Sequence, residues 1–240
     1  MQFEKAQLTL SQRILNMDKY NGFLSAITKG ERGSGKSMYD LKVMALAYYN
    51  HDEGLTENQA WRKALDNMIF RPEQLSEKVS YNIEHDVVDL AWCIDDARVH
   101  FSGYLFFINV YQAALMNATF DTIRTVVRAL LINSPLKKGL MKALREYDDY
   151  EITIYRENGD YQRKATAIKW YSLPDGKRKF RKTFEDYFSC YVPNWVYTKY
   201  MDQRKRYLRE INEEIILLRE KLSERKEKKK LMLNDVEHTY

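Results

Sequence analysis

The spacing of hydrophobic positions changes repeatedly along the chain, and each change predicts an element. Ile14, Leu15 and Met17 mark a short helix ahead of the core. A turn at Asn21 and Gly22 leads into an apolar run, Phe23 to Thr28, with the length of a short strand, and Gly30 ends it. Met38, Leu41, Met44, Ala45 and Tyr48 then recur at helical spacing over residues 36 to 50. Residues 55 to 70 read as a further helix that opens on a capping box, Thr56 to Gln59, and runs into Met68, Ile69 and Phe70. A turn and a short helix over residues 71 to 79 precede an apolar strand within residues 86 to 101, which delivers the acids Asp95 and Asp96. Residues 119 to 146 read as helix, buried strand around Ala129 to Ile132, polar strand end at Asn133 and Ser134, and helix again.

Strands alternating with helices predict an α/β fold, a mainly parallel sheet with helices on its faces. The pattern changes near residue 150. Three β-rich runs between Tyr150 and Phe184 are separated by Glu157-Asn-Gly-Asp160 and Leu173-Pro-Asp-Gly176, both with strong turn chemistry, which predicts an antiparallel ribbon added to that sheet. From Pro193 to about residue 230 the chain reads as helix, and Leu208, Ile211, Ile215, Leu218 and Leu222 form a short heptad seam with charged flanks. The predicted organisation is a core over residues 1–149, an antiparallel extension of the same sheet over 150–192, and a basic amphipathic helix over 193–240.

The predicted strand and helix flank "GERGSGKS", residues 30 to 37, which fits the phosphate-binding pattern G-x-x-x-x-G-K-[ST]. A loop in that context can wrap its N–H groups around the β- and γ-phosphates of ATP, with a favourable helix dipole behind them. Gly30, Glu31, Arg32, Gly33, Ser34 and Gly35 would form the cradle, Lys36 would neutralise phosphate oxygens, and Ser37 would ligate Mg²⁺. Asp95, at a strand end, is the natural partner for that Mg²⁺, and Asp96 would orient or deprotonate the attacking water. An isolated acid pair would otherwise be a solvated strand end. Asn133 belongs at the site if its strand neighbours the first, where it could bond the γ-phosphate or the lytic water; otherwise it is a polar terminus before Pro135. Arg32, Arg124, Arg128 and Arg145 are all available as an arginine finger, which is usually supplied across a subunit interface.

Composition adds limits. The apolar fraction of 45%, with nine Gly and four Pro among 240 residues, describes an ordered globular chain. Its net charge of +5 is modest, but basic residues thicken in "GKRKFRKTF" and "SERKEKKKL" towards the end. Aromatic and basic residues interleave from Tyr161 to Phe184, with Trp170 and Tyr171 as stacking positions for nucleic acid. The same interleaving describes a twisted ribbon with one packed and one solvated face. Cys93 and Cys190 are expected to be reduced packing residues, and the four histidines show no ligand-like spacing, so no structural metal is expected. With no bilayer-length apolar run and no apolar signal core, a soluble cytoplasmic protein is expected.

"GERGSGKS", the strand ending "WCIDDA", and "ALLINSP" before a helix resemble the Walker A, Walker B and sensor-1 elements of P-loop ATPases of the additional-strand (ASCE) division, which includes AAA+ proteins. More narrowly, residues 21 to 43, the ribbon and "VPNWVYTKYMDQRKRYL" resemble the DnaA-like ATPases of crenarchaeal spindle-shaped viruses and related plasmids. Asp96 stands where that pattern usually has Glu, and no helical lid with a sensor-2 arginine follows residue 146. The resemblance implies an ATPase that forms a homo-oligomer, a hexamer among the forms, and remodels or moves DNA in viral or plasmid replication, in the host cytoplasm. A DNA packaging motor of the FtsK/HerA type would share every residue named. A nucleotide-gated assembly protein would bind ATP with little turnover, and a small-molecule kinase would need an acceptor pocket and an Arg-rich lid. The last helix is expected to serve self-association or a protein partner, or else to pack back on the core.

Overall fold

The computed structural model describes residues 7–52, 54–97, 110–140, 142–146, 150–157, 162–175 and 177–237. The elements run α1 (Thr9–Lys19), β1 (Leu24–Lys29), α2 (Lys36–His51), α3 (Glu57–Asp66), β2 (Met68–Ile69), α4 (Pro72–Glu84), β3 (Trp92–Ile94), α5 (Val110–Thr122), β4 (Ala129–Asn133), α6 (Lys142–Glu146), β5 (Tyr150–Arg156), β6 (Gln162–Ser172), β7 (Arg178–Ser189) and α7 (Asn194–Glu237). The chain divides into two compact units, residues 1–197 and 198–240.

The first unit holds a seven-stranded sheet in the order β2-β3-β4-β1-β5-β6-β7. Neighbours are parallel from β2 through to β5. The pairs β5–β6 and β6–β7 are antiparallel, so the ribbon extends the parallel sheet as expected. Each strand buries alternate residues on opposite faces. Ile27, Trp92, Ile94, Leu130 and Ile132 meet Leu75 of α4, Phe120 of α5 and Leu144 of α6 on one face. Thr28, the next residue along β1, turns the other way and donates its hydroxyl to Asp40 of α2. Helix α2 is therefore on the opposite face, and its near-complete burial from Lys36 to Tyr48 explains why apolar residues surround it rather than forming a stripe.

Two boundaries differ from the sequence reading. Met68 and Ile69 do not continue α3; Asn67 ends that helix, and the two residues pair with Cys93 and Ile94 as an edge strand. Both are fully or nearly fully buried, where unpaired backbone groups would be costly, and strand pairing supplies the partners. The apolar run from Asp86 contributes only Trp92–Ile94 to the sheet, because Val87 and Val88 are exposed and Asp89 makes a single bridge to Val127. Asp89 instead accepts hydrogen bonds from Trp92 Nε1 and Asn82. The part of this reading at residues 98–101 lies outside the described residues. The capping box at Thr56 and Gln59 is present.

The ribbon is fastened to the helical layer by Asp186 on β7. Its carboxylate accepts from the backbone N–H groups of Thr9 and Leu10 at the start of α1 and from Tyr39 Oη on α2. Burial first, and then the Asp186 carboxylate, push the Tyr39 phenol up, so it stays a donor. The second unit is the greater part of α7, a continuous helix to Glu237 on which Leu208 and Ile215 of the heptad seam are exposed.

Asp186→Ala would leave these buried donors unpaired. The expected loss is about 3 kcal/mol of stability in urea denaturation. Tyr39→Phe removes one donor together with its need for a partner, and should cost about 1 kcal/mol.

Candidate functional site

The candidate site is built where β1 ends. The chain turns through Gly30, Gly33 and Gly35, all in positive-φ conformations, before α2 begins at Lys36. Two of these glycines are fixed by space as well as by φ. A Cβ on Gly30 would stand 2.8 Å from the Ile154 carbonyl of β5, and one on Gly35 would stand 2.4 Å from Cys190 Sγ. Gly35 at the cap has no side chain to accept from the first N–H groups of α2, and an uncapped helix start favours an anion.

Lys36 folds back over the loop, donating from Nζ to the carbonyls of Gly30 (3.0 Å) and Glu31 (2.8 Å). The Ser34 hydroxyl in the same loop is buried without a hydrogen-bond partner. Glycines with no room for a Cβ at positions 30 and 35, an orphaned hydroxyl and a lysine folded over the loop are features suited to a phosphate chain. The residues present therefore fit a nucleoside triphosphate.

The register of the sheet brings three distant positions to this loop. Thr28 is level with Asn133, and Ile94 with Ile132, so β1, β4 and β3 end together. Backbone bonds continue past the strand ends, from Asp95 N–H to Ile69, Ala97 N–H to Asn133 and Ser134 N–H to Thr28. Ser37 Oγ donates to Asp95 Oδ1 at 2.8 Å and accepts from Asn133 Nδ2 at 3.0 Å. Asp95 and Asn133 are almost wholly buried. This hydroxyl and carboxylate are the pair that could hold a divalent cation beside bound phosphates. Asp96 follows in the left-handed region at φ 48, a conformation that Asp tolerates better than most residues, and it is partly exposed.

Asp40 lies beneath the cluster, fully buried, accepting from Thr28 Oγ1 at 2.7 Å. Its pKa is raised to about 8, chiefly by burial and in smaller part by Asp95, while Thr28, Lys36 and Cys93 act against the rise. Nothing in the local sequence marks Asp40, since its role depends on which strands lie under α2.

The four arginines singled out by sequence are not gathered at the loop. Arg32 is in it and exposed, Arg124 and Arg145 are exposed elsewhere, and Arg128 is bonded to Asp18 and Asn21. Two others are close. Arg156 Nη2 donates to the Gly33 carbonyl at 3.3 Å, and Arg163 Cγ would be 3.7 Å from a Cβ on Gly35. They escape sequence reading because β5 and β6 reach the loop only through the strand order. Cys93 and Cys190 are both free, the first in the core and the second packed on Gly35. Among the described residues no three His, Cys, Asp or Glu side chains form a metal cluster, and no helix is long and apolar enough to cross a membrane.

The mainly parallel sheet flanked by helices, the glycine loop between β1 and α2, and the acid at the end of β3 form an α/β fold with the arrangement that a phosphate-binding loop requires. No family model matches the chain. It is 28% identical over 220 residues to Uncharacterized protein B-251 of Sulfolobus spindle-shape virus 1, covering 87% of this chain and 84% of that protein. It is 25% identical over 138 residues to Uncharacterized protein ORF286 of Acidianus two-tailed virus, covering 57% of this chain and 45% of that protein. Among solved structures, it is similar to the N-terminal domain of zonular occludens toxin from Neisseria meningitidis, with TM-score 0.39, 10% identity, and coverage of 74% of this chain and 98% of that one. It is also similar to the genome packaging NTPase B204 from Sulfolobus turreted icosahedral virus 2 in complex with AMPPCP, with TM-score 0.36, 14% identity, and coverage of 68% and 99%. At these scores the structural likeness bears on neither activity nor partner.

Asp40 gives the site a pH signature. An unfolded Asp titrates near ~4, whereas Asp40 in the fold titrates near about 8. Between those values the native chain holds a proton that the unfolded chain has lost, so this contribution to stability is full at the acid end and is lost as pH rises. Asp40→Asn should remove the slope. Thermal midpoints measured from about pH 5 to about pH 8 should fall for the wild type relative to the variant.

Proposed function

We propose that this chain is a Mg²⁺-dependent ATPase that moves or remodels DNA for a virus or plasmid. The observation that carries the nucleotide part is the convergence of Ser37, Asp95 and Asn133 beside the Gly30–Gly35 loop. The archaeal viral origin of the two sequence relatives supports the setting.

In this reading the backbone N–H groups from Gly30 to Gly35 and the first turn of α2 hold the phosphate chain. Lys36 leaves the carbonyls of Gly30 and Glu31 and places its ammonium on the phosphate oxygens. Ser37 and Asp95 would hold Mg²⁺, whose charge would offset that of the phosphates. Asp96 accepts a proton from the water that attacks the γ-phosphorus, as the bond to the bridging oxygen breaks and ADP and phosphate form. Its arm is one methylene shorter than that of Glu, which favours slow turnover until a partner tightens the site. Asn133 holds the Ser37 hydroxyl in register with Asp95 and is near enough to that oxygen to respond when its partners change.

The DNA part rests on the other end of the ribbon. Arg13, Lys169, Tyr171, Arg181 and Thr183 line a cavity of about 500 Å³. The Arg13 guanidinium lies 5.0 Å from the ring centres of Tyr150 and Phe184, and Lys169 lies 5.4 Å from that of Tyr150. Basic groups beside an exposed Tyr171 suit a phosphate backbone with stacked bases. Trp170 is not a stacking platform here, because its Nε1 donates to Glu151, which Lys29 and Lys137 also hold. The heptad seam in residues 198–240 supports a homo-oligomer through a second copy of the same helix.

The test is ATP turnover with and without single- and double-stranded DNA. Lys36→Ala and Asp96→Asn should each lower turnover by about a hundredfold or more. Arg181→Ala should leave ATP binding unchanged, weaken DNA binding whatever the sequence, and lower the salt slope by about one. Nucleotide binding with no turnover in any DNA condition would replace this reading with a nucleotide-gated assembly protein.

A further inference from the structure

Arg156 on β5 and Arg163 on β6 are directly opposite each other in the antiparallel register, on the face that meets α2. Like charges so placed repel, and an ordinary sheet avoids them. One guanidinium donates to Gly33 of the glycine loop, and the other side chain passes beside Gly35. Arg163 is only 8% exposed. Its Nη1 donates to the Gln162 carbonyl, while its Nε is buried without a hydrogen-bond partner. Among the described residues neither arginine has a carboxylate partner. A buried cation facing another cation, with a donor left over and Lys36 in the adjoining loop, needs an anion to complete it.

We propose that Arg156 and Arg163 bind the phosphate chain of the nucleotide in cis, so that the antiparallel ribbon forms a wall of the site. The inference rests on the nucleotide-binding reading of the Gly30–Ser37 loop and adds two binding residues to it. A planar fork can reach two phosphate oxygens at once, which a lysine cannot do, so both the charge and the shape of the group matter. The ribbon is thereby bonded to the ligand at one end while its other end carries the basic cavity.

Equilibrium titration with mant-ATP tests this, using the wild type, Lys36→Ala, Arg156→Ala, Arg163→Gln and Arg163→Lys. Arg156→Ala and Arg163→Gln should each weaken binding about tenfold or more, and Arg163→Lys by about threefold. Affinity in both neutral variants should also depend less steeply on salt than in the wild type. Arg156 is exposed, so its variant should keep the wild-type melting temperature without nucleotide to within about 2 °C, which separates ligand contact from folding. Binding within twofold of the wild type in Arg156→Ala and in whichever Arg163 variants fold, while Lys36→Ala loses it, overturns the arginine proposal and leaves the loop reading intact. Wild-type binding that is absent, or indifferent to Lys36→Ala, overturns both.

Discussion

The Ser37 hydroxyl joins three parts of the chain that are far apart in sequence. It donates a hydrogen bond to Asp95 at the end of β3 and accepts one from Asn133 at the end of β4, while sitting in the first turn of α2. This depends on β4 lying between β1 and β3, and on a register that ends all three strands together. A slip of one residue would turn Asn133 and Asp95 to the other face and separate them from Ser37. Thr28 and Asp40 make the same demand one layer down, since their bond also requires the right face of β1 under α2. The site is a consequence of strand order and register, and the loop alone would not assemble it.

The ribbon constrains the same helix from the other side. Tyr39 is bonded to Asp186, Lys42 donates to the Ser189 carbonyl, and Cys190 packs on Gly35. Burial lowers the Lys42 pKa to about 8, so ordinary neutral conditions keep it largely charged and bonded. With Arg156 on Gly33, four contacts tie the start of α2 and its loop to β5, β7 and the segment after β7. Strand β6 has 11 residues, and the six to eight residues from Arg163 to Lys169 and Tyr171 span roughly 20–26 Å between this end and the basic cavity. A bulge between Ala167 and Ile168 interrupts its pairing with β7, and Thr183 bonds across it to the Ala167 carbonyl. The bulge strengthens the local twist, so the half beside the loop and the half beside Arg13 can present different chemistry on one ribbon.

What could be read from the sequence was what local chemistry dictates. The glycine loop, the capping box at Thr56, the buried run at Ala129 and the turns that delimit the ribbon each depend on residues a few positions apart. The Ser37, Asp95 and Asn133 grouping was legible because it needed only the assumption that three strands end side by side. Met68 and Ile69 were misread because an apolar pair after a helix has the same local pattern whether it extends the helix or starts an edge strand. Asp186, Cys190, Arg156 and Arg163 carried no local signal. Their contacts with the loop and α2 arise from β5 pairing with β1, a choice among strand orders that periodicity does not encode.

The charge pattern around the loop gives this arrangement a direction. Lys36 and Arg156 donate to carbonyl oxygens of the loop, and the Arg163 side chain passes beside Gly35. Two of these carbonyls accept from Lys36 and one from Arg156, and each is uncharged. A phosphate chain would exchange each carbonyl bond for a stronger bond to an ionised oxygen without requiring new donors to be built. Ordering is thus largely complete before a ligand arrives, and the binding free energy need not be spent on folding the loop. In the proposed binding mode the bonds exchanged would be those to Gly33, on the ribbon side, and to Gly30 and Glu31, on the loop side. A ligand bound between them would touch the ribbon and α2 together, which Asp186 already joins through Thr9 and Tyr39.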